Sequence, residues 1–215
     1  MNHTDPRIHR RRALGMLSSL GLLSGWAAAP AWAADAGAHS HEGHDMAAMQ
    51  DVKRSENIVA LPAVSVTRQD GKKLPIAKAL DDGRPVVLNF IYTSCTAICP
   101  VLSQTFAEMR ERLGAERSRI NMVSISIDPD YDTPARLKEY AARFGADANW
   151  NFYTGTLEDS IAVQKAFASY RGDKMNHAAN TFMRTAAPGK AWLRVDGFAG
   201  PARLLTEYRK LTSSS

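Results

Sequence analysis

The chain contains two cysteines, Cys95 and Cys99, separated by Thr96, Ala97 and Ile98. Four positions are about one helical turn, so on a helix the two side chains share a face with Cβ atoms about 5–6 Å apart. That spacing lets two sulfurs grip one ion or, with local adjustment, join as a disulfide. The loop between them is too short to restrain much unfolded-chain entropy, so the pair points to chemistry rather than to a structural staple. Two thiolates favour a soft ion, and Cu(I) accepts low coordination numbers where structural zinc demands four closed ligands. A third donor then has to come from elsewhere. His177 is the candidate, because every other histidine lies before residue 45. A lone histidine is also commonly an ordinary surface or core residue, and the residues alone leave both readings open. His177 follows Arg171-Gly172-Asp173-Lys174-Met175-Asn176, a polar stretch that reads as an exposed loop.

A second group of donors lies near the N-terminus. His39, His41, His44, Met46 and Met49 crowd together in a segment rich in Ala, Gly and Asp. Imidazole and thioether hold Cu(I) and Cu(II), so the stretch reads either as an auxiliary metal-gathering tail or as a solvated linker.

The elements that must position the thiols follow from hydrophobic patterning. Pro85 to Tyr92 is a nearly continuous apolar run, as in a central strand covered on both faces, and it leads straight into Cys95. Beyond it, Ile98, Val101, Leu102, Phe106, Met109 and Leu113 recur every three or four residues before Gly114, which predicts an amphipathic helix. Pro100 is compatible with its first turn, where no intrahelical N–H donor is needed. Free amides and the positive end of the helix dipole at this junction favour thiolate, and both thiols are expected to deprotonate easily.

Elsewhere, apolar runs ending at Val66 and at Ile76 flank Asp70-Gly71 and predict a hairpin. Ile120 to Ile127 reads as a buried strand. Thr133-Pro134 starts a helix through Phe144, Trp150 to Tyr153 is a short strand, and Leu157 to Tyr170 is helical. Thr181 to Arg184 and Ala191 to Val195 form a hairpin around Pro188-Gly189, followed by a terminal helix carrying Leu204, Leu205, Tyr208 and Leu211. This order predicts an α/β, thioredoxin-like fold: a central mixed sheet flanked by helices, with an N-terminal β-hairpin. The thiols then sit at the carboxyl end of a central strand, where α/β sites usually form.

Arg10-Arg11-Arg12, the apolar stretch Ala13 to Ala29 and Ala31-Trp32-Ala33 read as an export signal over residues 1–33, of the twin-arginine kind, cut before Ala34. The alternative is an uncleaved leader that anchors the domain to the inner membrane. Residues 34–56 are expected to form a flexible His/Met-rich tail and 57–215 the folded domain, exported to the periplasm. Four of the 27 basic residues and one of the 22 acidic residues precede residue 34, so the formal charge falls from +5 to +2. With no basic run on a helical face, this balance argues against a nucleic-acid partner.

Asn89-Phe90-Ile91-Tyr92-Thr93-Ser94-Cys95-Thr96-Ala97-Ile98-Cys99-Pro100 and Ser124-Ile125-Ser126-Ile127-Asp128-Pro129-Asp130-Tyr131-Asp132-Thr133-Pro134 resemble the two hallmark segments of the Sco/SenC family. The resemblance spans about residues 58–211 and implies a thioredoxin-like copper-binding domain. It makes Cys95, Cys99 and His177 the ligands of one copper ion, Cu(I) or Cu(II). The implied partner is the copper subunit of cytochrome c oxidase or another exported copper protein. Two functions follow from it: metallochaperone delivery of copper, or thiol-disulfide reduction of a partner's copper-site cysteines, with Cys95 and Cys99 as the redox pair. The resemblance also puts Asp128 and Asp132 near the copper loop, where they bias charge or partner surface, or act as exposed, solvated caps. Asn176 stands where the family usually has an acidic residue before the histidine, which removes a possible partner for the imidazole. A peroxiredoxin-like peroxidase would require an activating arginine beside the thiolate, and the sequence identifies none.

Overall fold

The computed structural model describes residues 52–213. Its centre is β4 (Val86–Ile91), buried at every position as the apolar run predicts. β5 (Asn121–Ser126) pairs parallel with β4, and β6 (Trp150–Thr154) pairs parallel with β5. On the other side of β4, β7 (Asn180–Arg184) runs antiparallel to it, and β8 (Trp192–Asp196) antiparallel to β7. The hairpin of β2 (Ser65–Arg68) and β3 (Lys73–Pro75) attaches antiparallel to β6. With β1 (Lys53–Asn57) on β8, the order is β1-β8-β7-β4-β5-β6-β2-β3. This is the mixed, helix-flanked, thioredoxin-like sheet that the element order implies.

The helices are α1 (Ile76–Leu80), α2 (Ile98–Leu113), α3 (Pro134–Arg143), α4 (Leu157–Ala166) and α5 (Pro201–Ser213). α2 packs against α5, and α3 against β6. The apolar face of α2 buries Leu102, Phe106, Met109 and Leu113, and the chain leaves it through Gly114 at a positive φ of 55°. Thr133 caps α3 by accepting from the Arg136 amide, with Pro134 in the first turn. Among the described residues, no helix is long and apolar enough to cross a membrane.

Two expectations about elements need correction. Ile76 opens α1 instead of ending a strand, and its side chain is buried. The boundary expected between residues 56 and 57 falls inside β1, whose sequence Lys-Arg-Ser-Glu-Asn has no apolar alternation. Main-chain pairing with β8 and an ion pair hold this strand. Arg54 reaches the fully buried Glu207 carboxylate of α5 at 2.9 Å, and Arg203 meets the same carboxylate at 3.0 Å. The expected leader (1–33) and the tail donors His39, His41, His44, Met46 and Met49 lie outside the described residues.

Candidate metal centre

β4 ends at Ile91, and the chain turns through Tyr92 to Ala97 before α2 begins. The Cys95 amide donates to the Tyr92 carbonyl at 3.2 Å, which closes the turn and sets Cys95 at the mouth of the helix. Cys99 is the second residue of α2 and faces the core. Cys95 is 8% exposed and Cys99 0%, and both are free thiols. Cys95 thus lies in the turn before α2 and not on the helix, and it is the less buried of the two thiols.

That difference separates their acidities. Burial pushes the Cys95 thiol up, but hydrogen bonds from the amides of Cys99 and Ala97 and from the Tyr92 hydroxyl outweigh it, so Cys95 ends below the ordinary thiol range. These are the free amides expected at the start of the helix. Cys99 corrects the expectation that both thiols deprotonate easily. Its complete burial raises it far above the ordinary range, and the nearby Cys95 raises it further. Tyr92 is pushed up too, by burial first and then by its hydrogen bond to Cys95.

The turn is tied to the loop that follows β5. Asp132 is fully buried, not the exposed cap that the sequence allowed. It accepts from the Thr93 amide at 3.1 Å, from the Thr93 hydroxyl, and from the Ser126 hydroxyl at 2.6 Å. Burial raises this carboxyl above its usual range although all three donors oppose the shift. Thr93 lies two residues before Cys95, so Asp132 fixes the approach to the outer thiol.

His177 follows a short 3-10 turn, Lys174–Asn176, between α4 and β7. Its loop is held by long-range ties rather than by regular structure. Lys174 Nζ pairs with the Asp128 carboxylate at 2.6 Å, and the Tyr92 hydroxyl donates to Met175 Sδ at 3.7 Å. The His177 Nε2 lies 3.0 Å from the Phe90 carbonyl oxygen of β4. A carbonyl only accepts, so Nε2 carries the proton and Nδ1 keeps the lone pair. Burial lowers the imidazole's proton affinity, the Phe90 contact opposes this, and Arg171 adds to the lowering. The ring is thus half-buried and neutral, not simply exposed on a polar loop. The Phe90 carbonyl supplies the ring partner that Asn176 does not.

The structure brings Cys95 and Cys99 together, but it does not gather His177 with them into a finished cage. Among the described residues, no three His, Cys, Asp or Glu side chains are placed to hold one ion. Tyr92, Met175 and the Phe90 carbonyl were not singled out by the sequence. The only signal for Met175 was a thioether in an otherwise polar loop.

A thiol of raised acidity beside a fully buried partner, at the strand-to-helix junction of a thioredoxin-like sheet, defines a dithiol domain for soft-metal or redox chemistry. Residues 62–210 match the SCO1/SenC family description, and the chain belongs to that family. The SCO1 protein homolog of Bacillus subtilis is 33% identical over 94 residues, covering 43% of this chain and 48% of that protein, so the chain spans about half the length of this curated relative. The SCO1/SenC family lipoprotein of Bacillus anthracis superposes with a TM-score of 0.63 at 27% identity, over 73% of this chain and 97% of the other. BsSco, described with a disulfide switch and as a member of the Sco family of cytochrome c oxidase assembly proteins, gives 0.62 at 23% over 77% of this chain and 100% of its own. Bradyrhizobium japonicum ScoI with copper bound gives 0.59 at 22% over 72% of this chain and 99% of its own, and these last two show the fold alone.

Proposed function

We propose that this protein is a copper metallochaperone that holds one copper ion through Cys95 and Cys99, with the His177 imidazole completing the set, and delivers it to the copper centre of cytochrome c oxidase or another exported copper protein. The observation that carries the reading is the pair of free thiols four residues apart where β4 passes into α2, Cys95 in the turn and Cys99 in the first turn of the helix, in a SCO1/SenC domain. Copper bound to a ScoI of this fold, and the naming of BsSco among cytochrome c oxidase assembly proteins, support the choice of cargo and recipient.

The donors fit Cu(I). Two sulfurs supply soft ligation, and a neutral imidazole offers Nδ1 without first losing a proton. The amides of Ala97 and Cys99 offset charge on the Cys95 sulfur while the ion is exchanged. Completing the set requires the 171–179 loop to carry His177 toward the thiols. Export through the 1–33 leader, to the periplasm or to an inner-membrane anchor, belongs to the same reading, and similarity to a family lipoprotein supports an anchored form. The His39 to Met49 tail serves in it as an auxiliary metal collector.

Anaerobic titration of the reduced full chain with Cu(I), with ligands read by X-ray absorption, tests the proposal. One tightly held ion with two sulfurs and one nitrogen is expected. Weak binding that Cys95→Ala and His177→Ala leave unchanged would overturn it.

The asymmetric thiols favour a second reading, thiol-disulfide reduction. Here the Cys95 thiolate attacks a partner disulfide, the partner's distal sulfur leaves as thiolate, and Cys99 resolves the mixed disulfide after losing its proton. The pair ends oxidised and the partner reduced. His177→Ala separates the two, since it weakens copper binding and spares reductase activity.

A further inference from the structure

Met175 is the unusual residue of the 171–179 loop: an apolar side chain 72% exposed, where most large apolar side chains of the described domain are buried. Its sulfur is nevertheless placed. The Tyr92 hydroxyl donates to Met175 Sδ at 3.7 Å, and the Cys95 amide donates to the Tyr92 carbonyl at 3.2 Å, so Tyr92 ties the thioether to the turn that carries the outer thiol. Lys174 is anchored on Asp128 at 2.6 Å and lies 5.7 Å over the Tyr92 ring, which holds the neighbouring residue of the loop against the same phenol. By contrast, Cys99 is fully buried, and the His177 ring is engaged on the Phe90 carbonyl. Of the soft donors on this turn and loop, Met175 is exposed and Cys95, at 8%, is the less buried of the two thiols.

We infer that Met175 is a copper ligand of the entry step: its thioether takes Cu(I) together with the Cys95 sulfur at the mouth of the site, before the ion passes inward to Cys99 and His177. The inference rests on the copper-binding reading above. A thioether is a neutral soft donor that selects Cu(I), and it binds without displacing a proton. One bond from Cu(I) to its incoming carrier breaks as the bond to Sδ forms. The Cys95 thiol releases its proton to water as it replaces a second carrier ligand, and copper stays Cu(I) throughout. Met175 also sits two residues before His177 on the same loop, so loop motion that carries the imidazole inward carries the thioether with it.

The test is stopped-flow transfer of Cu(I) from its bicinchoninate complex to the reduced full chain, comparing wild type with Met175→Leu, Met175→His and Cys95→Ala. Leucine keeps size and apolarity without the sulfur, and histidine restores a donor. Met175→Leu is expected to slow transfer about tenfold, with Met175→His close to wild type. Wild-type rates in Met175→Leu would overturn the inference, and so would equal slowing in both variants, which would mark a packing role. Cys95→Ala that binds copper with wild-type affinity would instead overturn the chaperone reading itself.

Discussion

The turn after β4 and the loop before β7 carry the proposed ligands but are built by opposite means. The first is dictated locally: an all-buried strand runs through a short turn into a helix, with Cys95 in the turn and Cys99 on the helix. The second has one short 3-10 turn and is held by single contacts to Asp128, Tyr92 and Phe90, residues 46, 83 and 87 positions away in sequence. In the proposed copper site, a dithiol set by a strand and a helix and an imidazole on a loop held by single contacts would suit uptake and release of an ion.

If the dithiol carries the affinity, Cys95→Ala and Cys99→Ala each weaken Cu(I) binding by roughly a hundredfold or more, measured by competition with a chromophoric chelator. Removing the support beneath the rigid turn comes next. Asp132→Ala strands the Thr93 and Ser126 donors in the interior and lowers stability by about 2 kcal/mol, read by urea unfolding. His177→Ala weakens binding by only about tenfold, and a loss as large as that of the cysteines would erase the contrast between the two regions. The smallest effect belongs to the tether: Lys174→Met removes a partly exposed ion pair, changes global stability by less than about 1 kcal/mol, and speeds hydrogen exchange within 171–179. Exposure also orders the thiols: a bulky maleimide labels native Cys95 well before Cys99, and unfolding in urea abolishes the difference.

What was legible in the sequence follows the same division. The limits of α2, the Thr133 cap and the strand leading to Cys95 were readable because they depend on neighbours within a turn or two. β1 was not, because a polar edge strand carries no hydrophobic period and owes its place to β8 and to the buried Glu207 that Arg54 reaches. α1 was hidden because five residues hold too little periodicity to separate helix from strand. At the site, residue types were readable but their environments were not. The burial that sets Cys99 apart from Cys95, and the burial of Asp132, come from packing of distant segments.

The Phe90 carbonyl belongs to the main chain of the central strand, so every amino acid at position 90 would present the same oxygen. The imidazole's tautomer is therefore insulated from substitution at the positions around it. Side chains of the loop, Asn176 included, can change while the ring nitrogen that keeps its lone pair, the one the proposed copper site would use, stays the same.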